Sequence, residues 1–229
     1  MAPTKRILIA LTSHGELGAT GRNTGFYVSE AADPWKVFRA HGYEVDLVST
    51  AGGEPPRDGV KPDDPTQQSF LADPDIAAKL RATPTPAQVD PTRYDAILYA
   101  GGHGTMWDFP DDTALAELAR RIYEENQGVV AAVCHGPAGL VGITLSDGRP
   151  LVEGRSLAAF TNDEENAVGL ADTVPFLLQS RLENLGAKHL GAANFQAQVV
   201  TDGRLVTGQN PASATGVAEQ VVKVLAARS

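Results

Sequence analysis

The chain has 229 residues, 42% hydrophobic and 21% charged, an ordinary globular balance at a length that one hydrophobic core can still organise. A net charge of −9 with an isoelectric point near 5.0 argues against a nucleic-acid partner, whose phosphates need clustered Lys and Arg, and more weakly against an anionic membrane surface. The single cysteine excludes an intrachain disulfide and a cysteine-rich zinc site, and fits a reducing cytoplasm.

The opening run Ile7-Leu8-Ile9-Ala10-Leu11 is too short for a signal peptide, and no later segment approaches the roughly 20 apolar residues of a membrane helix. In chain order, Arg6–Leu11, Glu44–Ser49, Ala96–Ala100, Val129–Val133 and, more weakly, Ser156–Phe160 read as buried strands. The spacing predicts helices over Val28–Ala40 (interrupted at Pro34), Thr113–Asn126, Val174–Leu185 and Ala212–Ala227, the last with Asn210 as cap and Pro211 in its first turn. Gly52–Gln68 reads as a surface excursion with a short helix after it, and Leu145–Gly154 as a turn between β segments. A hairpin is expected where Gln198–Thr201 and Leu205–Thr207 flank Asp202-Gly203. Strands alternating with helices give an α/β protein, one doubly wound domain over residues 1–229 with a mostly parallel sheet. Ligands of such sheets bind beyond the carboxyl ends of the strands.

The sharpest motif lies at such an end. Ala131-Ala132-Val133 stops at Cys134, and His135-Gly136-Pro137 then turns tightly toward a helix, the layout of a nucleophile elbow with sulfur in place of a serine oxygen. Amides and a helix N-terminus there would favour thiolate over thiol. A lone cysteine is usually a small core residue, but this strand-end setting favours a functional one. Gly101-Gly102-His103-Gly104 follows another strand, and the amides of Gly102 and His135 are the expected oxyanion donors. That loop matches neither a P-loop nor a dinucleotide fingerprint, so no nucleotide cofactor is expected. Glu30 and the cluster Asp163-Glu164-Glu165 read, from the residues alone, as solvated helix starts.

These residues give the chain a resemblance to the PfpI superfamily, relatives of class I glutamine amidotransferases with a flavodoxin-like sheet. The similarity is greatest to its branch of heat-shock chaperones and glyoxalase III enzymes. It spans nearly the whole chain, through Thr24-Gly25 to Glu30, Gly102-His103-Gly104-Thr105, Cys134-His135-Gly136-Pro137 and Leu205-Val206-Thr207-Gly208-Gln209-Asn210-Pro211-Ala212-Ser213. The resemblance implies a triad of Cys134, His135 and a carboxylate shortly after Phe160-Thr161, at Glu165 or its neighbour Glu164, with Glu30 beside the sulfur. It implies a glutathione-independent conversion of methylglyoxal or glyoxal without metal or other cofactor, with Gly102, His103 and Gly104 around the substrate, in a homodimer. Asp33-Pro34 departs from the branch, which often carries histidine before that proline. A thiol hydrolase or deglycase, a holdase chaperone and a redox sensor are the competing expectations.

Overall fold

The computed structural model describes residues 4–228; residues 1–3 and 229, the outer ends of the expected domain, lie outside the described residues. In chain order the elements are β1 (Arg6–Leu11), β2 (Phe26–Tyr27), α1 (Val28–Ala40), β3 (Glu44–Ser49), β4 (Arg57–Asp58), α2 (Pro65–Ala72), α3 (Pro74–Arg81), β5 (Ala96–Tyr99), α4 (Thr105–Asp108), α5 (Thr113–Glu124), β6 (Val129–Val133), β7 (Ser156–Leu157), α6 (Asn162–Ala167), α7 (Leu178–Asn184), β8 (Lys188–His189), β9 (Val199–Asp202), β10 (Leu205–Gly208) and α8 (Ala214–Ala226).

A six-stranded sheet in the order β3-β1-β5-β6-β10-β9 forms the centre. All its pairs are parallel except β10 with β9, whose register Leu205↔Asp202 makes the expected hairpin. Side chains alternate across a strand, so each strand feeds two cores. Ile7, Ile9, Leu98 and Ala131 lie with Trp35 and Phe38 of α1 and Val217 and Val221 of α8 on one face. Leu8, Ala10, Ile97, Tyr99 and Val130 face Leu118 and Ile122 of α5 on the other. Helices on both faces explain why the strands read as continuous apolar runs.

Several expectations need correction. Pro34 does not interrupt α1, which runs unbroken from Val28 to Ala40. Its missing N–H removes only the bond to the Glu30 carbonyl, and burial of Ala31, Ala32, Trp35 and Phe38 on that helix offsets the loss. Ser156–Phe160 is not a strand of the main sheet: only Ser156–Leu157 pairs, in parallel with β8. The next amides are taken elsewhere, Ala158 N–H donating to Thr207 Oγ1 (2.9 Å) and Phe160 N–H to the Cys134 carbonyl (2.9 Å). α7 starts at Leu178 rather than Val174, since Leu177 before it is extended (φ −80°, ψ 118°) and the Val174 N–H is taken by the Leu170 carbonyl. α5 stops at Glu124, with Gln127 at φ 55° just beyond it. Asn210 does not cap α8; a 3₁₀ turn over Pro211–Ser213 precedes that helix, and the Asn210 amide is used elsewhere.

The excursion after Gly52 contains β4, which pairs with β2, and then α2, whose first turn is capped by Asp64 accepting from Thr66 and Gln67 N–H. Together they hold the start of α1, and with it Glu30, against the carboxyl ends of the sheet. Gly136 marks the tightest packing there: a Cβ on it would lie 2.2 Å from the Tyr99 carbonyl oxygen at the end of β5. Gly136→Ala should therefore cost about 1–3 kcal/mol of stability, read as a lower urea midpoint at an unchanged slope. An unchanged midpoint would contradict this packing of the turn on β5.

Candidate active site

β6 is buried along its whole length and ends at Val133. Cys134 follows at φ 60°, a left-handed conformation uncommon outside glycine. Two backbone bonds lock it: Cys134 N–H donates to the Gly208 carbonyl and its own carbonyl accepts from Phe160 N–H, both at 2.9 Å. The sharp turn lifts the side chain off the strand at the sheet's carboxyl edge, as in a nucleophile elbow. The chain then enters a 3₁₀ turn over Gly136–Leu140 and not an α-helix, so the expected dipole support for a thiolate is weak. Burial, and then the Glu30 charge, push the Cys134 thiol well above its ordinary range, while the backbone N–H of His135 acts in the opposite sense.

His135 Nδ1 lies 3.4 Å from Cys134 Sγ, and His135 Nε2 lies 2.6 Å from Glu165 Oε2. A carboxylate only accepts, so His135 carries its proton on Nε2 and presents a bare Nδ1 to the sulfur. Burial and then neighbouring His103 lower the His135 pKa to about 4, which keeps the ring neutral near pH 7. Burial pushes the Glu165 carboxyl up, but hydrogen bonds from His103 and His135 outweigh it and bring it down to about 2.

The ambiguity between Glu164 and Glu165 is resolved by the first turn of α6. Thr161 caps that turn in a capping box, its hydroxyl accepting from Glu164 N–H (3.0 Å) while Glu164 Oε2 accepts from Thr161 N–H (3.0 Å). Glu164 Oε1 accepts from Phe195 N–H (2.7 Å), Asn210 Nδ2 (2.9 Å) and Gln209 Nε2 (3.1 Å). Adjacent helical residues point about 100° apart, so Glu164 ties down Gln209-Asn210 while Glu165 faces His135. Asp163 is exposed.

Glu30 is fully buried rather than solvated. Its Oε2 accepts from Gly101 N–H at 2.6 Å, and Oε1 has no hydrogen-bond partner. Burial raises its pKa to about 8, against the pull of the Cys134 thiol and the Gly101 amide, so it holds its proton near neutral pH. Gly102 adopts φ 108° with its α-carbon against the Gly25 carbonyl, where a Cβ would lie 2.1 Å from that oxygen. Gly104 starts α4 against the His14 carbonyl, which a Cβ would approach to 2.4 Å. His103 Nε2 lies 2.7 Å from Glu165 Oε1.

Cys134, His135, Glu165, Glu30, Gly101, Gly102 and His103 thus converge where β5, β6 and α1 meet. Sequence reasoning gave no place in the site to Gln209 and Asn210, whose buried amides hold Glu164, nor to Thr105, whose hydroxyl donates to the Gly102 carbonyl (2.9 Å) and the His135 carbonyl (3.0 Å). The signal for the first two was the polar Gly208-Gln209-Asn210-Pro211 run directly after a buried strand. Among the described residues, His103, His135 and Glu165 bring ligand atoms within 4.8 Å of one another, a set able to hold a divalent ion, although these atoms already pair with each other.

A doubly wound sheet with a positive-φ cysteine elbow and a relayed histidine and carboxylate defines a class of α/β thiol proteins. The chain belongs to the DJ-1/PfpI family, whose model matches residues 23–224. The protein called glutathione-independent glyoxalase HSP31 of Saccharomyces cerevisiae is 38% identical across 98% of this chain and 99% of its own length. The solved glyoxalase III of Candida albicans superposes with a TM-score of 0.88 at 33% identity, covering 96% of this chain and 97% of that one. The 24 kDa rapid encystment protein of Francisella tularensis gives a TM-score of 0.93 at 37% identity, over 97% of this chain and 99% of that one. No helix among the described residues is long and apolar enough to cross a membrane.

Glu30 should leave a mark on stability. Its folded pKa of about 8 exceeds the ordinary 4.5, so the folded state retains a proton that the unfolded chain releases. The stabilisation is complete below the unfolded value and is lost as pH rises toward about 8. Measured against Glu30→Gln, in which the buried His135 titrates alike, the wild-type urea midpoint should fall over that window; an equal slope in both proteins would refute the buried-acid assignment. Glu164→Ala, which removes the acceptor shared by Thr161, Phe195, Gln209 and Asn210, should cost about 2–4 kcal/mol by the same measurement.

Proposed function

We propose that the protein is a glutathione-independent glyoxalase converting methylglyoxal to lactate, with Cys134 as nucleophile. The observation that carries this reading is the placement about Cys134 of the fully buried Glu30, held by the Gly101 amide, together with the His135–Glu165 pair. The names of the relatives in yeast and Candida point to the same activity.

The reaction is redox-neutral: the aldehyde carbon is oxidised as the adjacent ketone carbon is reduced, so no external electron acceptor is needed. Cys134 sulfur adds to the aldehyde carbon, and the thiol proton reaches the carbonyl oxygen through His135 or Glu30, giving a hemithioacetal. His135 Nδ1 then takes the hydrogen from that carbon as a proton while Glu30 protonates the neighbouring carbonyl oxygen, giving an enediol. Returning the His135 proton to the second carbon, and the hydroxyl proton of the first to Glu30, leaves a lactoyl thioester. Water hydrolyses it to lactate and free thiol. Glu165 fixes the His135 tautomer throughout. The amides of Gly102 and His135 are assigned to the developing oxyanion, and Gly104 and His103 to the walls of the site.

A thiol hydrolase would use the same three residues. The held proton on Glu30 favours the enediol route, because amide hydrolysis has no need of a second acid beside the sulfur. We place the enzyme in a reducing cytoplasm, where a lone thiol stays free, acting as one unit over residues 1–229 in a homodimer.

Methylglyoxal consumption with lactate detection, without added glutathione or metal, tests the reading. Wild type should form lactate, Cys134→Ser should form none, and Glu165→Gln should lose about 10²–10⁴-fold in kcat. Full activity in Cys134→Ser would sink the covalent scheme, and a well-folded wild type without turnover would sink the glyoxalase reading.

A further inference from the structure

Glu165 is hydrogen-bonded at both oxygens by imidazoles, Oε2 to His135 Nε2 at 2.6 Å and Oε1 to His103 Nε2 at 2.7 Å. Since the carboxylate only accepts, both rings donate from Nε2. The two ring centroids lie 4.0 Å apart at 41°, and Phe160 packs against both, 4.3 Å from His135 and 6.1 Å from His103. Thr105 fastens the loop that carries His103 to the His135 carbonyl. The Nε2 of His103 is therefore engaged within the protein, toward the side of the site away from the sulfur.

We propose that His103 is a positioning residue of the thiol site: it holds the second oxygen of Glu165, so that the carboxylate keeps His135 with Nδ1 aimed at Cys134. The proposal rests on the reading of Cys134 and His135 as the reacting pair. A carboxylate bonded at one oxygen only can turn about its Cγ–Cδ bond, and the His135 ring turns with it. With donors on both oxygens, neither group moves without breaking two charge-assisted bonds. Removing His103 therefore frees one oxygen of Glu165 and, with it, the orientation of the His135 ring.

The test compares His103→Ala and His103→Gln in two assays. In turnover of methylglyoxal, His103→Ala should lose about 10- to 100-fold in kcat, with KM within about twofold. His103→Gln, which restores a donor to Glu165 without a ring, should recover most of kcat. A higher KM with kcat intact would overturn the proposal and return His103 to direct substrate contact. The second assay is independent of the reaction: alkylation of Cys134 by iodoacetamide at fixed pH should slow in His103→Ala and recover in His103→Gln, because a His135 ring free to turn no longer keeps Nδ1 on the sulfur. An unchanged alkylation rate would overturn the role of His103 whatever the activity. A slowed and rescued rate in a protein that forms no lactate would support that role and sink the glyoxalase reading alone.

Discussion

The left-handed conformation of Cys134 is the constraint around which the site is arranged. A non-glycine residue at φ 60° costs on the order of 1–3 kcal/mol, and it persists because the hydrogen bonds to Gly208 and from Phe160 fix both of its peptide groups. The same two bonds set the neighbours. The bond to Gly208 places the Gln209-Asn210 segment next to the elbow. The bond from Phe160 places the segment that leads through Thr161 to Glu164 and Glu165. His135 needs no separate device, since the turn that lifts the sulfur carries the ring after it, within 3.4 Å.

Two glutamates then acquire opposite characters from their surroundings. Glu30 is buried with one strong donor, the Gly101 amide, and an orphaned Oε1, so desolvation wins and it keeps a proton. Glu165 is as deeply buried but receives two imidazole donors, so hydrogen bonding wins and it stays ionised. Between them lie a thiol and a neutral imidazole. The arrangement brings two carboxyl groups of opposite character, a thiol and an imidazole into one cleft.

Glu164 shows how a residue beside the chemistry can be structural. Its two oxygens gather Thr161, Phe195, Gln209 and Asn210, binding the start of α6 to the loop before β9 and the turn after β10. Phe195 itself sits at φ 62°, with its ring 6.5 Å from that of Phe160. Glu165 can be held accurately only because its helix is pinned by Glu164 in this way, which links the polar run at Gln209-Asn210 to a carboxylate far from it in sequence.

The sequence by itself determined the order of the main strands and helices, the doubly wound class and the elbow at Cys134. These depend on local signals: continuous apolar runs of strand length, helical periodicity, and a Gly-Pro turn directly after a buried strand. The family motifs pointed to Glu30, His135 and Glu165 as members of one site. Only the tertiary structure decided what those groups are. Pro34 stays within a helix because of what packs on that helix; Ser156–Phe160 leaves the main sheet because Thr207 and Cys134 take its amides. Glu165 rather than Glu164 meets His135 because one capping box fixes the phase of a short helix. The state of the thiol, the proton on Glu30 and the bond of His103 to Glu165 arise from desolvation and from contacts between residues distant along the chain, and no local pattern encodes either.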